Sequence, residues 1–326
     1  MSNILFCSVG RRGRLLQDFK KSLPNSTLIA TDNNPTAPAL YFADKQYIVP
    51  KITDENYLNT ILDICKKENV KAITTLIDPE IEILSKNRDL FIENGILPLC
   101  PDERTATLCF DKFKMFQYLK ENNINTVLTF DSLASFKSAH SNGEVDFPVF
   151  IKPRSGSGSV GAKKVNSIQE LRALIKENSH DYIIQEFMSG GDIDSDVYVD
   201  TITNQPVSIF SKKKLETRIG GASKTISFKD EKLFEFIKKA LSLFKFYGPI
   251  DVDFFYNDGK YYLSEVNPRF GGAYLHAYGA GVDFIKLIQN NINGIENKDI
   301  IGEYDQDVIM MMYDDVVIKR KNELAK

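Results

Sequence analysis

Apolar and polar positions alternate with two different periods along the first hundred residues. Short apolar runs predict strands, and stretches in which apolar residues recur every three to four positions predict helices. The predicted strands cover residues 4–9, 26–31 and 70–77, and the predicted helices cover residues 15–23, 57–65 and 80–93. This β-α-β-α order predicts an open parallel sheet wound by helices over roughly residues 1–105.

The rest of the chain mixes helices with strands that follow one another directly. Predicted helices cover residues 111–122, 168–177, 232–246 and 283–293. Predicted strands cover residues 147–152, 162–165, 182–187, 194–203, 206–214 and 308–312. Because the strands at 194–203 and 206–214 are separated by only a short turn, we expect them to pair antiparallel. The fold class predicted is therefore α/β followed by α+β.

Two further strand-like runs near residue 260 carry carboxylates where apolar residues are expected. The runs are IDVDFFY at 250–256 and KYYLSEVNPR at 260–269. An ionised carboxylate is costly to bury without a partner, and a divalent cation is a common partner in such places. Side chains two apart in a strand share a face, so Asp253 lies on the face of Asp251, and Asn267 lies on that of Glu265.

The register of this hairpin decides whether its polar side chains meet. The linker NDG predicts a three-residue loop, with Tyr256 paired to Lys260. That pairing places Asp251 opposite Glu265, with Asp253 on the adjacent diagonal. A two-residue loop would instead send Glu265 to the other face of the sheet.

On the first register, the oxygen ligands and the guanidinium of Arg269 converge on one spot, which predicts a metal site. The alternative is a hairpin with a solvated acidic face, because charged residues are usually exposed.

Composition narrows the classes of function. The chain has 326 residues, enough for two or three packed units, and its net charge of −3 gives no electrostatic footprint for nucleic acid. Its cysteines show no C-x-x-C spacing, so neither a zinc site nor a redox pair is predicted. The sequence starts without a basic and apolar leader and contains no run of about 18 apolar residues. We therefore expect a soluble, cytoplasmic protein with no membrane partner.

A second candidate site follows the apolar strand FPVFIK. Lys152 ends this strand, where an unpaired ammonium is unfavourable, and the next nine residues contain three glycines and three serines. Such a loop exposes backbone N–H groups that can close over phosphates, and the lysine supplies a point charge. The loop is not a Walker A motif, because no G-K-[ST] follows it. The alternative is a flexible surface loop beside a lysine whose amine reaches solvent.

The sequence VGRRG at 9–13 follows the first predicted strand, and Asp32 ends the second. This spacing resembles half of the dinucleotide fingerprint, G-x-G-x-x-G with its ribose-binding acid. The first close pair of glycines is missing, and Arg11 and Arg12 stand where a pyrophosphate would approach the backbone. We favour a tight strand-to-helix turn over an anion site that uses Arg11 or Arg12, and both over NAD binding. For His276, just beyond the hairpin, we favour a packing or surface role over contact with substrate.

Four motifs in order along the chain resemble those of the ATP-grasp superfamily, specifically its carbamoyl-phosphate-synthase-large-subunit-like and PylC-like carboxylate–amine ligase branch. They are DK at 111–112, FPVFIKP at 147–153 with the Gly/Ser loop, QEF at 185–187 and SEVNPR at 264–269. The resemblance extends from residue 4 to about residue 294. It implies an N-terminal open parallel sheet, the pre-ATP-grasp domain, over residues 1–108. A two-lobed ATP-grasp fold would follow, with a small lobe over 109–187 and a C-terminal lobe over 188–326.

The resemblance implies which residues hold ATP. They are Lys112 and Lys152 at the phosphates, Ser155, Gly156, Ser157 and Gly158 in the loop that closes over them, Glu186 and Phe187 at the adenine, and Asp192 at the ribose. Asp192 stands where relatives usually carry Glu, so its carboxylate reaches one methylene less far.

The resemblance also implies a metal site and a catalytic set. Mg²⁺, with Mn²⁺ as an alternative ion, would be held by Asp253, Glu265 and Asn267. Arg269 would neutralise the transferred phosphoryl group, and Lys214 and Arg218 would reach the substrate or an acyl phosphate.

These roles imply an ADP-forming ligase that activates a carboxylate as an acyl phosphate for attack by an amine or similar nucleophile. The implied partners are ATP and small-molecule carboxylate and amine substrates, and a homodimer is left open. Because the chain carries one ATP-grasp unit rather than two, we do not expect it to make carbamoyl phosphate alone. Two alternatives stay open: an ATP-binding partner subunit without catalysis, and an NAD-dependent oxidoreductase that uses Gly10, Gly13 and Asp32.

Overall fold

The structure of the chain is a computed structural model that describes residues 2–156, 161–177, 181–218 and 221–325. Three sheets organise these residues: a parallel sheet of five strands, an antiparallel sheet of four and an antiparallel sheet of six. The predicted fold class, an α/β region with an open parallel sheet followed by a two-lobed α+β region, is confirmed. No helix among the described residues is long and apolar enough to span a membrane.

The parallel sheet has the strand order β3-β2-β1-β4-β5 and is covered by helices. Its elements are β1 (Asn3–Cys7), α1 (Gly13–Ser22), β2 (Leu28–Asp32), β3 (Lys45–Ile48), α2 (Tyr57–Lys67), β4 (Val70–Thr75), α3 (Asp78–Lys86), α4 (Arg88–Glu93) and β5 (Leu97–Pro98). The single helix predicted at 80–93 is two helices. The chain leaves the helical conformation at Asn87, whose side-chain amide donates to the carbonyl of Ile83.

The turn after β1 is the tight strand-to-helix connection that we favoured. Gly10 has a φ of 48°, a conformation that glycine adopts without strain. The Asp32 carboxylate accepts from the backbone N–H of Gly10 and from that of Asn34, both at 2.9 Å. Because this carboxylate closes the turn, the acid that a dinucleotide ribose would require is already engaged by the backbone.

The four-stranded sheet has the order β6-β9-β7-β8. Its region contains α5 (Glu103–Phe110), α6 (Lys112–Glu121), β6 (Thr129–Phe130), α7 (Leu133–Ser141), β7 (Val149–Pro153), β8 (Lys163–Val165), α8 (Ile168–Glu177) and β9 (Tyr182–Glu186). Val149 and Ile151 are buried in a small core beneath this sheet. Since successive side chains in a strand alternate, Lys152 projects from the opposite face.

The six-stranded sheet has the order β14-β13-β10-β11-β12-β15. Its region contains β10 (Gly191–Val199), β11 (Pro206–Arg218), β12 (Gly221–Phe228), α9 (Glu231–Leu241), β13 (Gly248–Asn257), β14 (Lys260–Asn267), α10 (Tyr274–Gly279), α11 (Phe284–Ile292) and β15 (Ile309–Met311). One face is apolar: Ile193, Val252 and Leu263 share the main hydrophobic core with residues of α9. The opposite face carries charged residues and forms the candidate active site.

Candidate active site

The turn between β13 and β14 has two residues, so the predicted three-residue loop is wrong. Asn257 pairs with Lys260 across it. Asp258 and Gly259 both have positive φ, 50° and 77°, as a type I′ turn requires. This turn matches the right-handed twist of the two strands, which a three-residue loop achieves only with an added bulge.

A β-bulge in β14 keeps the polar side chains on one face in spite of the shorter turn. Ser264 has no partner in β13, and beyond it the register shifts by one residue. Asp253 therefore lies opposite Glu265, and Asp251 lies opposite Asn267. The predicted pairing of Asp251 with Glu265 is wrong by two positions. The shared face survives because a shift of two residues preserves the alternation of side chains.

Carboxylates and ammonium groups fill the same face on the neighbouring strands. Asp194 and Asp196 of β10 lie opposite Asp253 and Asp251 of β13. On the other side of β10, Asp194 lies opposite Lys212 of β11. The polar face is therefore a row of acidic residues with a basic strand beside it, continuous from β14 to β11.

Lys214 joins two of the predicted site residues at the outer end of this face. Its Nζ lies 2.5 Å from Oδ1 of Asp253 and 2.9 Å from Oδ1 of Asp192. Burial lowers the pKa of the Lys214 ammonium, but the carboxylates of Asp253, Asp194 and Asp192 outweigh that effect, so the pKa is raised. Burial in turn raises the pKa of Asp192. This part of the site thus holds a cation between two carboxylates.

Two lysines from the region of the four-stranded sheet lie near the polar face. The Lys112 amine donates to the carbonyl of Gly156 at 2.6 Å and lies 3.7 Å from Oε1 of Glu265. Burial lowers the pKa of Lys152. The negative charges of Glu265 and Asp253 oppose this effect, and the positive charge of Lys112 adds to it. Of the two lysines implied at the phosphates, Lys112 therefore lies beside Glu265, and Lys152 is near enough to Glu265 and Asp253 for their charges to affect its pKa.

The Gly/Ser loop begins at the end of β7. Ser155 is exposed, and Gly156 has a φ of 101°, which strongly favours glycine. The next two residues with implied roles, Ser157 and Gly158, lie outside the described residues.

The side chains implied at the adenine are partly engaged within the protein. The Glu186 carboxylate accepts from the backbone N–H of Leu128 at 2.8 Å. The Phe187 ring stacks on Phe150 with centroids 6.1 Å apart, and the amine of Lys164 lies 3.9 Å from the centroid of the Phe187 ring. The roles of Glu186 and Phe187 at a nucleotide stay predictions.

Arg269 connects the polar face to the parallel-sheet region. Its Nε lies 2.8 Å from Oδ1 of Asp78 and its Nη2 donates to Oδ2 of Asp78 at 3.1 Å, while Nη1 lies 3.7 Å from Oδ2 of Asp251. Burial lowers the pKa of the guanidinium, but Asp78 and Asp251 outweigh it and the pKa is raised. Sequence reasoning missed Asp78. A carboxylate at the carboxyl end of a parallel strand, where α3 begins, was the available signal.

The two arginines of the first turn differ in burial and in the groups that they contact. Arg12 donates from Nη1 to the carbonyl of Gly271 at 2.8 Å. Burial, followed by the nearby Arg269, lowers the pKa of Arg12 to about 10. Arg11 is exposed, 3.8 Å from Asp314, and Arg218 lies 3.3 Å from the same carboxylate. The described ion pair of Arg218 is therefore with Asp314 rather than with the acidic face.

Lys212 is fully buried behind the outer cluster and was also missed by sequence reasoning. Its Nζ lies 3.0 Å from Oδ1 of Asp194 and forms a closer ion pair with Asp196. Asp194, Asp196 and Asp251 are all buried, and one carboxylate oxygen of each lies within 4.8 Å of the other two. The signal was the alternation of Asp residues along β10, which marks one face of a strand.

His276 is buried and serves packing. Its Nδ1 lies 2.7 Å from Oγ1 of Thr225, its Nε2 lies 3.0 Å from the carbonyl of Val308, and its ring meets the edge of Phe210. Burial lowers its pKa to about 4, so the ring is neutral at pH 7.

Gly271 allows the acidic face to pack against the chain that follows β14. A Cβ at this position would lie 2.7 Å from Oδ1 of Asp251 and 2.8 Å from Oδ1 of Asp196. We expect Gly271→Ala to lower the free energy of unfolding by about 1–3 kcal/mol, because a well-packed site must shift to accept the methyl group. Urea unfolding monitored by circular dichroism measures this.

Gly279→Ala is the matched control, since nothing lies within 4 Å of a Cβ there. It should leave stability unchanged or raise it slightly. Equal stability of the two variants would contradict the close contact at Gly271.

Two family models match the chain. A PylC-like N-terminal domain matches residues 4–99, and an ATP-grasp domain matches residues 109–273. The arginine-specific large chain of carbamoyl phosphate synthase from Geobacillus stearothermophilus is 23% identical over 298 residues, which cover 87% of this chain and 28% of that protein. D-alanine–D-alanine ligase from Francisella tularensis subsp. novicida is 30% identical over 165 residues, 46% of this chain and 56% of that ligase.

The chain thus spans less than two thirds of the length of these relatives. N5-carboxyaminoimidazole synthetase from Staphylococcus aureus, solved with ADP, superimposes with a TM-score of 0.73 at 17% identity, over 91% of this chain and 79% of that one. This likeness shows a shared fold. The ATP-grasp match alone spans half of the chain, and together with the fold it leads to one conclusion: the chain belongs to the ATP-grasp family.

Proposed function

We propose that the chain is an ATP- and Mg²⁺-dependent ligase that activates a carboxylate as an acyl phosphate for attack by an amine or similar nucleophile, releasing ADP and phosphate. One observation carries the proposal. Asp253 and Glu265 lie opposite each other on one face, and the Lys112 amine lies 3.7 Å from Glu265.

The donor set fits a magnesium ion. Asp253, Glu265 and Asn267 offer carboxylate and amide oxygens from one face of two paired strands, and oxygen is the ligand that Mg²⁺ prefers. Ammonium groups of Lys214 and Lys112 lie near two of these carboxylates, so the face already attracts positive charge. When bound, Mg²⁺ would neutralise charge on the phosphates of ATP.

The chain's own residues would do the rest by position and charge. Lys112 and Lys152 would hold the phosphates, and Arg269 would stabilise negative charge on the phosphoryl group in transfer. Asp78 holds the Arg269 guanidinium through two contacts, which fixes its orientation. The loop from 155 to 161 would close over the phosphates and keep water from the acyl phosphate.

Other roles follow in the same proposal. Glu186, Phe187 and Asp192 would meet the adenosine, and Lys214 and Arg218 would reach the substrates. The parallel-sheet region, residues 1–108, would contribute to substrate binding, with lobes at 109–187 and 188–326 forming the nucleotide site.

ADP release tests this function. The purified chain is incubated with ATP and pairs of small carboxylates and amines, and ADP is measured by a coupled assay with and without Mg²⁺. We expect turnover that requires Mg²⁺ and rises only when both substrates are present. ATP binding by calorimetry without turnover for any pair would favour a non-catalytic nucleotide-binding subunit. No ATP binding in the presence of Mg²⁺ would overturn the proposal.

A further inference from the structure

Exposed apolar side chains are concentrated in one short segment at the end of the six-stranded sheet. Of the eleven large hydrophobic residues that are exposed among the described residues, six lie between residues 309 and 318. They are Ile309, Met311, Met312, Tyr313, Val316 and Ile318, and the last two are 77% and 87% exposed. A cluster of this kind on a sheet edge is characteristic of a surface that another chain covers.

The segment follows the edge strand β15 without forming a strand of its own, and the chain contacts the rest of the protein near both of its ends. At its start, the N–H of Met312 donates to the carbonyl of Ser223 in β12. Near its end, the amine of Lys319 lies 5.4 Å from the centroid of the Tyr41 ring, and Ala325 donates to the hydroxyl of Tyr41 at 3.2 Å. These contacts restrict the segment at its ends, which reduces the entropy that it loses on association.

In a strand pair the side chains of this segment would alternate between two faces. On one of them Val317 is partly buried and the Lys319 amine lies over the Tyr41 ring, while Tyr313 and Asp315 are exposed. Val316 and Ile318 lie on the opposite face, which is exposed. Val316 and Ile318 are therefore neighbours on this exposed face, and both are β-branched residues of the kind that favours strand pairing.

The charged residues on either side of this apolar centre would attract those of a second copy of the segment that runs antiparallel to it. Asp314 and Asp315 precede the apolar centre, and Lys319 and Arg320 follow it. Within its own chain Asp314 lies 3.8 Å from Arg11 and 3.3 Å from Arg218, so a second copy would compete with these exposed arginines for its carboxylate. If two copies pair antiparallel about Val317, each acidic pair lies opposite a basic pair. In a parallel arrangement like charges would meet, which is unfavourable.

We propose that residues 313–321 form a homodimer interface, in which this segment pairs antiparallel with the same segment of a second copy about a two-fold axis. Asp315 lies opposite Lys319 of the second copy, Asp314 opposite Arg320, and Val316 opposite Ile318. Opposite charges in register stabilise the pair and specify a second copy as the partner. This proposal is independent of the ligase reaction.

Charge reversal tests both the partner and the direction of pairing. Sedimentation of the full chain, whose monomer mass is 36.9 kDa, should show a dimer at about 10–100 µM, a range typical of weak to moderate association. Asp314→Lys/Asp315→Lys makes all the charged residues of 314–320 basic, and Lys319→Asp/Arg320→Asp makes them all acidic. Each variant alone should dissociate at least tenfold more readily. An equimolar mixture should recover dimers, because opposite charges then face one another at every pair.

An apolar substitution supplies the second test. Val316→Ser/Ile318→Ser should also favour the monomer, while Ile92→Ser/Ile295→Ser, at two exposed apolar positions elsewhere, should not. Unfolding temperatures check that all variants are folded. A monomeric parent chain over this range of concentration would overturn the proposal, whatever else binds the segment. So would dimers that persist in both charge variants, or a mixture that fails to pair.

Discussion

Replacing Glu265 by Gln should lower Mg²⁺-dependent ADP formation by about 10²–10³-fold, a loss comparable to removing one preorganised electrostatic group from an active site. The substitution keeps the shape of the side chain and its place opposite Asp253 but removes a negative charge from the proposed metal ligands. A neutral amide attracts a hard divalent ion less strongly than a carboxylate does. The rate should recover only in part as Mg²⁺ is raised.

The fold should be almost unaffected by this substitution. Glu265 is about one fifth exposed, and its ion pair with Lys112 is long, at 3.7 Å. Such a partly solvated pair contributes little to stability. A large loss of activity with an unchanged unfolding temperature would therefore locate the effect in the site.

Asp258→Asn is the matched control for Glu265→Gln. It makes the same change from carboxylate to amide in the same hairpin, at an exposed turn position where asparagine also tolerates a positive φ. Its ADP formation should stay within about twofold of the parent, as for most surface substitutions. If both variants keep the activity of the parent chain, the assignment of Glu265 is contradicted. If both lose activity to the same extent, the effect comes from the hairpin as a whole rather than from Glu265.

The hairpin also shows what its sequence can and cannot predict. Alternation of apolar and acidic residues, together with a three-residue loop, predicted that Asp253 and Glu265 share a face. The shared face is confirmed, although the loop has two residues. The linker NDG is compatible with a loop of two or three residues, and the structure contains the shorter one. The bulge at Ser264 compensates for the shorter loop. A bulge depends on how the strand packs on both sides, so local sequence does not reveal it.

Contacts distant in sequence account for the other omissions. Arg269 was recognised from the motif SEVNPR, but its partner Asp78 lies 191 residues earlier in the chain. Lys212 belongs to a run of three lysines that local sequence describes only as a short basic stretch. The strand turns Lys212 and Lys214 toward the acidic face and leaves Lys213 exposed on the other. Successive side chains of a strand alternate between its two faces, so this difference can be predicted once the segment is known to be a strand.

Lys212→Met should lower the free energy of unfolding at pH 7 by about 3–5 kcal/mol, because it leaves buried carboxylates without their cation. Lys212 is the ion-pair partner of both Asp194 and Asp196, and all three side chains are buried. Methionine fills a similar volume, so the loss comes mainly from charge rather than from a cavity. Urea unfolding measures it, and Lys213→Met on the exposed face of the same strand should change stability by less than about 0.5 kcal/mol.

The penalty should depend on pH in a definite direction. Burial raises the pKa of Asp196 to about 6 even with Lys212 present, and removing the cation raises it further. A carboxyl group with a raised folded-state pKa destabilises the protein as it ionises, so its penalty appears as pH rises and disappears as pH falls. Lys212→Met should therefore be less destabilising at pH 5 than at pH 7. The Lys212 ammonium itself, whose pKa is raised, would lose its contribution only in strong alkali.

A second substitution separates charge from packing. If unpaired carboxylates cause the loss, Lys212→Met/Asp196→Leu should be more stable than Lys212→Met, because replacing both members of a buried pair by apolar groups is often neutral. Asp194 would keep the nearby Lys214 as a counter-charge. A double variant no more stable than Lys212→Met, with a penalty equal at pH 5 and pH 7, would show that Lys212 acts through its shape. The acidic face would then be held together without its buried cation.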